Sequence, residues 1–137
     1  MIRVNKTGSG PMLKMVAGGA ISKGALCVSA TGKAVEAAAD VTTQIIVGVA
    51  AEAVAAADNI VTLYPLNGQL MEIDVDTTGT ATTFADSDIG FDFDISVSSH
   101  DFFIDPDDTT GPLILQSYDN DRATAVVFVP NTFIEMM

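Results

Sequence analysis

Residues 17–49 read AGGAISKGALCVSATGKAVEAAADVTTQIIVGV, a series of short apolar runs divided by Gly18, Gly19, Gly24, Gly32 and Gly48. Glycine enters positive-φ turns at little steric cost, so Gly24 and Gly32 bracket Ala25-Leu26-Cys27-Val28 as a strand between two tight turns. The same punctuation recurs at Asn67-Gly68, ahead of Gln69-Leu70-Met71-Glu72-Ile73. Outward from this block, strand-length pieces are expected at 12–16, 25–30, 44–50, 59–64, 69–75, 91–97, 101–104, 112–117 and 123–129. Alternation is cleanest in Phe91-Asp92-Phe93-Asp94-Ile95-Ser96-Val97. There Phe91, Phe93, Ile95 and Val97 are expected to share a core face, and Asp92 and Asp94 to point together to solvent. The run 122–129 (RATAVVFV) reads as a central strand.

Two Ala-rich stretches, 34–40 and 50–58, compete as helices because Ala has the highest helix propensity. Both are short and neither opens on a strong N-cap, so strand and loop are favoured. Many short strands with Gly or Asp turns between them predict a mainly β fold, a small β-barrel or β-sandwich with at most one short helix. The 137 residues fit one domain, a size that buries roughly two thirds of the surface its unfolded chain exposes. Residues 1–11 (MIRVNKTGSGP) are polar and Gly/Ser-rich and read as an extended N-terminal arm, leaving 12–137 as a single β domain. Such arms add as a strand to an exposed sheet edge. Residues 76–90 form the longest weakly apolar connector.

The formal net charge is −12. Binding a phosphate backbone needs a clustered basic surface, so the charge argues against nucleic acid as a partner. The distribution is more telling than the total. Arg3, Lys6, Lys14, Lys23 and Lys33 precede the first acid, Glu36, and all 18 acids share the rest of the chain with Arg122 alone. A basic segment and an acidic body can be matched within a subunit, between neighbours or against a partner. No apolar run is long enough to span a bilayer, and the N-terminus lacks the apolar stretch of a secretion signal, so the expectation is a soluble protein made in a cytoplasm, with no membrane partner. The single cysteine, Cys27, lies between Leu26 and Val28 and reads as a small structural hydrophobe.

The search for chemistry is short. Carboxylate pairs recur at Asp74/Asp76, Asp86/Asp88, Asp92/Asp94, Asp105/Asp107/Asp108 and Asp119/Asp121. The best metal candidate is Asp105-Pro106-Asp107-Asp108-Thr109-Thr110-Gly111, where three carboxylates and a Gly turn resemble the opening of a calcium loop. Its Gly stands seventh instead of sixth and Gln116 occupies the twelfth position, so no metal site is assigned and Asp105, Asp107 and Asp108 stay weak candidates. Clustered Asp with Pro and Gly is also how ordinary turns are written. Gly19-Ala20-Ile21-Ser22-Lys23-Gly24 has phosphate-loop spacing, but Ala25-Leu26 stands where Lys and a hydroxyl are required. His100 is the only histidine, no G-x-S-x-G elbow exists, and no triad can be assembled. The residues therefore offer no catalytic set, imply no cofactor and read as a non-enzyme.

The order A-G-G-x-I-x-x-G-x-L-x-V-x-x-x-G-x-A-V from Ala17, then I-V-G-V-A at 46–50, then a later D-x-x-x-G, resembles the small decoration (cement, or head-stabilising) proteins of tailed bacteriophage capsids, over residues 12 to 130. The resemblance implies a β-rich virion structural protein, a homo-oligomer and typically a trimer. It would be bound to the major capsid protein on the outer capsid surface and would stabilise the lattice. Under that reading Ile2, Arg3, Val4, Lys6 and Lys14 would contact the capsid or a neighbouring subunit. A tail or adhesion β module of a virion is the alternative, and a carboxylate-dependent hydrolase the third.

Overall fold

The Thr31-Gly32 turn sets the first hairpin. In the computed structural model, which describes residues 2–4, 12–38, 45–66, 70–99 and 101–130, Thr31 (φ 50°) and Gly32 (φ 80°) both lie at positive φ. That is the geometry of the tight two-residue hairpin loop whose twist matches the flanking strands. It joins β3 (Leu26–Ala30) to β4 (Lys33–Glu36), with Ala30 opposite Lys33. The start of the first Ala-rich stretch is thus a strand. The second, after β5 (Ile45–Ala50), is a run of turns pinned by a bridge between Ile21 and Val54.

Strands β2 (Leu13–Val16) and β6 (Ile60–Tyr64) complete a five-stranded sheet in the order β2-β6-β5-β3-β4. Its two end strands meet: Ala17 bridges Ala34, and the Gly18 N–H donates to the Ala34 carbonyl at 2.8 Å. The sheet therefore curls almost shut, which leaves little open edge. A bulge places Val47 as an extra residue between Ile46 and Gly48 in the β3–β5 pairing. Residues 46–50 are all buried, covered on both faces of the strand.

The second sheet has seven strands. β8 (Asp92–Phe93), β11 (Leu113–Asp119), β12 (Thr124–Phe128), β7 (Leu70–Val75), β10 (Asp101–Ile104) and β9 (Ile95–Ser98) follow one another, and β1 (Ile2–Val4) pairs with β7. β12 is central, as its sequence predicts. β8 and β9 are two halves of one extended run, β8 on β11 and β9 on β10, so this sheet also comes nearly full circle. The fold is mainly β and barrel-like. Its helical content among the described residues is one 3-10 turn at Asp86–Asp88.

Alternation builds the core. Met71, Ile73 and Val75 of β7, Ala125 and Val127 of β12, Phe102 and Ile104 of β10, and Leu113 and Leu115 of β11 all point inward and are buried. They join Leu26, Val28, Ile46, Val61 and Leu63 of the other sheet in one apolar cluster. Each of these side chains other than Ala125 contributes roughly 1.5–3 kcal/mol through burial.

Two sequence expectations fail at the β8–β9 run. Asp94 does not face solvent: it is 1 % exposed. The run bends there because the loop after β10 grips the backbone, Asp94 N–H donating to the Asp108 carbonyl (3.1 Å) and the Asp94 carbonyl accepting from Asp105 N–H (3.0 Å). The bend turns the side chain inward, where Oδ1 accepts the Ile95 N–H at 2.8 Å. Phe91, expected on the core face, is 61 % exposed: it follows directly on the Gly90 turn at the outer end of the sheet, where its backbone still meets β11 through the Leu115 N–H (3.1 Å) but its side chain has left the core.

Candidate functional site

Register brings the acidic loops together. Asp74 and Val75 at the end of β7 lie opposite Phe103 and Ile104 of β10 on one side, and Asp74 lies opposite Thr124 on the other. The 76–90 connector, the 105–112 loop and the 119–123 turn therefore begin side by side at one end of the seven-stranded sheet.

The carboxylates there are occupied with backbone. Asp105 Oδ1 accepts the Asp107 N–H (2.9 Å), Asp108 Oδ1 the Thr110 N–H (3.1 Å), and Asp119 Oδ1 the N–H groups of Asp121 (3.0 Å) and Arg122 (3.1 Å). These are Asx turns, in which a short carboxylate replaces a backbone acceptor. Others tie loops to one another: Asp107 Oδ1 accepts from Ala81 N–H (2.8 Å), and Asp92 Oδ2 from Gly111 N–H (3.2 Å). Gly111, the residue that gives the loop its calcium-like look, has a different task. A Cβ there would collide with the backbone of Asp94, so glycine is what allows the loop to close on that bend. Asp105, Asp107 and Asp108 thus point at separate N–H groups. Among the described residues, no cluster of three or more His, Cys, Asp or Glu is disposed to hold a metal ion.

The connector is fastened down the same way. Phe84 is buried and meets Phe93 edge-on, with ring centroids 5.0 Å apart. Asn120 holds its backbone by two hydrogen bonds, and the Tyr118 hydroxyl donates to Asp86 Oδ1 at 2.7 Å. That bond raises the Tyr118 phenol above its usual value, because ionisation would lose the donor beside a carboxylate.

Next to the connector lies a cleft of about 350 Å³. Its floor is the outer face of β9 and β10, where Ser96 and Phe103 are cross-strand neighbours. Its rim is Asp76-Thr77-Thr78. Asp76 Oδ2 accepts the Ser96 hydroxyl at 2.6 Å, and Oδ1 accepts both the Thr78 N–H (2.8 Å) and the Thr78 hydroxyl (2.6 Å). The hydrogen bond from Ser96, followed by those from Thr78, holds the Asp76 carboxyl below its usual value, so it stays ionised. In the sequence Asp76 stands out only as half of the Asp74/Asp76 pair, without Ser96 or Thr78 as its partners. The available signal was Asp-x-Thr directly after a strand, the pattern of a side-chain-capped turn.

The expected contact residues are dispersed. Ile2, Arg3 and Val4 form β1, in register with Ile73, Glu72 and Met71 of the same chain, and Ile2 is 8 % exposed. Lys6 lies outside the described residues, as do His100 and the turn expected at Asn67-Gly68. Lys14 is exposed on β2, in the other sheet, opposite Thr62. Met12 and Val16 flank it at the same strand parity, Val16 sits opposite Ile60, and all three are exposed apolar residues. Of the basic segment, Lys33 pairs with Asp58 at 2.9 Å within the subunit. Cys27 is fully buried, its thiol pushed up to about 12 by burial first and by the charge of Glu36 second.

Among the described residues no helix is long and apolar enough to cross a membrane. A scan of protein-family models finds none that matches the chain, and a search of curated proteins finds no matching relative.

Proposed function

We propose that this chain is a virion structural protein, a decoration (cement) protein that binds the outer surface of a bacteriophage head and stabilises the lattice of the major capsid protein. The reading rests on the sequence resemblance, and the observation that best supports it is β1. Three N-terminal residues pair along β7 of their own subunit, with Ile2 buried in its core. Strand addition of this kind is how a terminal arm engages a sheet edge, in its own subunit or in a neighbour. A second surface is available for lattice contact in the exposed strip Met12, Lys14, Val16 and Ile60. It carries one cation and three apolar side chains on an otherwise strongly acidic protein. Several of the acids cap turns and tie loops together, and a net charge of −12 favours solubility at high local density. A homo-oligomer, and in particular a trimer, multiplies modest contacts over a shell.

The contact surfaces are tested by comparing capsid attachment of the full chain with that of Lys14→Glu/Val16→Asp and of a variant lacking residues 1–11. Weakened attachment in either folded variant supports the reading, and unchanged attachment in both removes these surfaces from it.

A further inference from the structure

We infer that the cleft between the 76–78 rim and the β9–β10 face is a binding site for a neutral saccharide, a single pyranose unit or the end of a short glycan. This inference does not depend on the capsid reading. The cleft, about 350 Å³, falls at the small end of ligand sites and suits one ring. Its lining divides into two kinds of chemistry. Phe103 supplies an apolar wall able to take the C–H face of a sugar ring, Thr77 and Ser98 offer hydroxyls that both donate and accept, and Ser96 and Thr78, whose hydroxyl protons go to Asp76, offer acceptor lone pairs.

Asp76 is the fixed acceptor among them. Three donors from Ser96 and Thr78 hold its carboxylate in one orientation without exhausting its lone pairs. An acceptor locked in place beside rotatable hydroxyls recognises a ligand that presents several hydroxyls at fixed angles. Anionic ligands are disfavoured by Asp76 and by the chain's overall charge, and no cation lines the cleft. A small cation is disfavoured as well, because much of the carboxylate's hydrogen-bonding capacity is already shared among three donors.

The test is a titration of the isotopically labelled full chain, followed by amide chemical shifts, with methyl β-D-glucopyranoside, methyl β-D-galactopyranoside and putrescine as separate probes. At least one pyranoside is expected to give saturable shifts in the millimolar range at Thr77, Thr78, Ser96, Ser98 and Phe103. Asp76→Asn and Ser96→Ala, which retain the wall residues, are each expected to weaken that binding about fivefold or more, the value of one hydrogen bond. Phe103→Ala is not needed, so loss of fold does not cloud the result. No saturable shift with either pyranoside, binding of putrescine in their place, or undiminished binding in both folded variants would overturn the assignment.

Discussion

Asn120 clasps the backbone of Phe84 with both ends of its side-chain amide: Oδ1 accepts the Phe84 N–H at 3.0 Å, and Nδ2 donates to the Phe84 carbonyl at 2.9 Å. The amide acts as one unit of a neighbouring strand, satisfying a connector segment that has no ladder partner of its own. Asn120→Ala removes both bonds and is expected to cost about 1–3 kcal/mol. Asn120→Asp, which keeps an acceptor and loses the donor, should fall between. Urea unfolding checks the size, and amide hydrogen exchange should show faster exchange confined to the 81–90 segment.

Gly111 makes the opposite kind of contact, one defined by the absence of a side chain. Gly111→Ala places a methyl against the Asp94 backbone and should destabilise the fold by about 1–3 kcal/mol, the usual range for overpacking. Gly19→Ala, where nothing lies within 4 Å of the added carbon, is the control and should be close to neutral. Thermal melts of the two variants side by side decide it. Added calcium should leave both melts unchanged, because Asp105, Asp107 and Asp108 serve as turn acceptors.

Asp76 makes stability depend on pH with a defined sign. Its carboxyl lies below 3.8 in the folded chain, so the stabilisation is present above 3.8 and is lost as pH falls through the folded value. Asp76→Asn should lower stability at neutral pH and flatten the acid limb of the melting profile. A variant whose acid limb matched the parent would show that other carboxylates carry the acid transition.

Cys27 should be silent to thiol reagents in the native state. A thiol pushed up to about 12 presents almost no thiolate at neutral pH, and full burial removes access as well. Ellman's reagent is expected to titrate one thiol only after denaturation, and measurable native reaction would mean that the β3–β5 pairing opens.

Most of the strands were legible because local rules decide them. Glycine turns delimit β3, two-residue alternation marks β7, β10 and β12, and the Thr31-Gly32 turn overrides the helix propensity of Ala34 by requiring a return strand. The departures come from contacts distant in sequence. Alternation runs unbroken through Asp94, and only the docking of 105–111 breaks it. Nothing in Met1-Ile2-Arg3-Val4 announces β7 as the partner, 70 residues or so away by strand register. The roles of the acids were half legible: Asp with Gly and Pro signals turns, yet which N–H each carboxylate serves is fixed by how three loops meet at one end of a sheet.

The proposed attachment to a phage head is tested most directly by mixing the purified protein with phage capsids, those of a phage encoding this chain included, and measuring density-gradient co-sedimentation. Saturable binding at a fixed ratio to the major capsid protein, with the decorated capsids surviving more heat than bare ones, is the predicted result. Failure to co-sediment with the cognate capsid at any protein concentration would contradict the decoration reading.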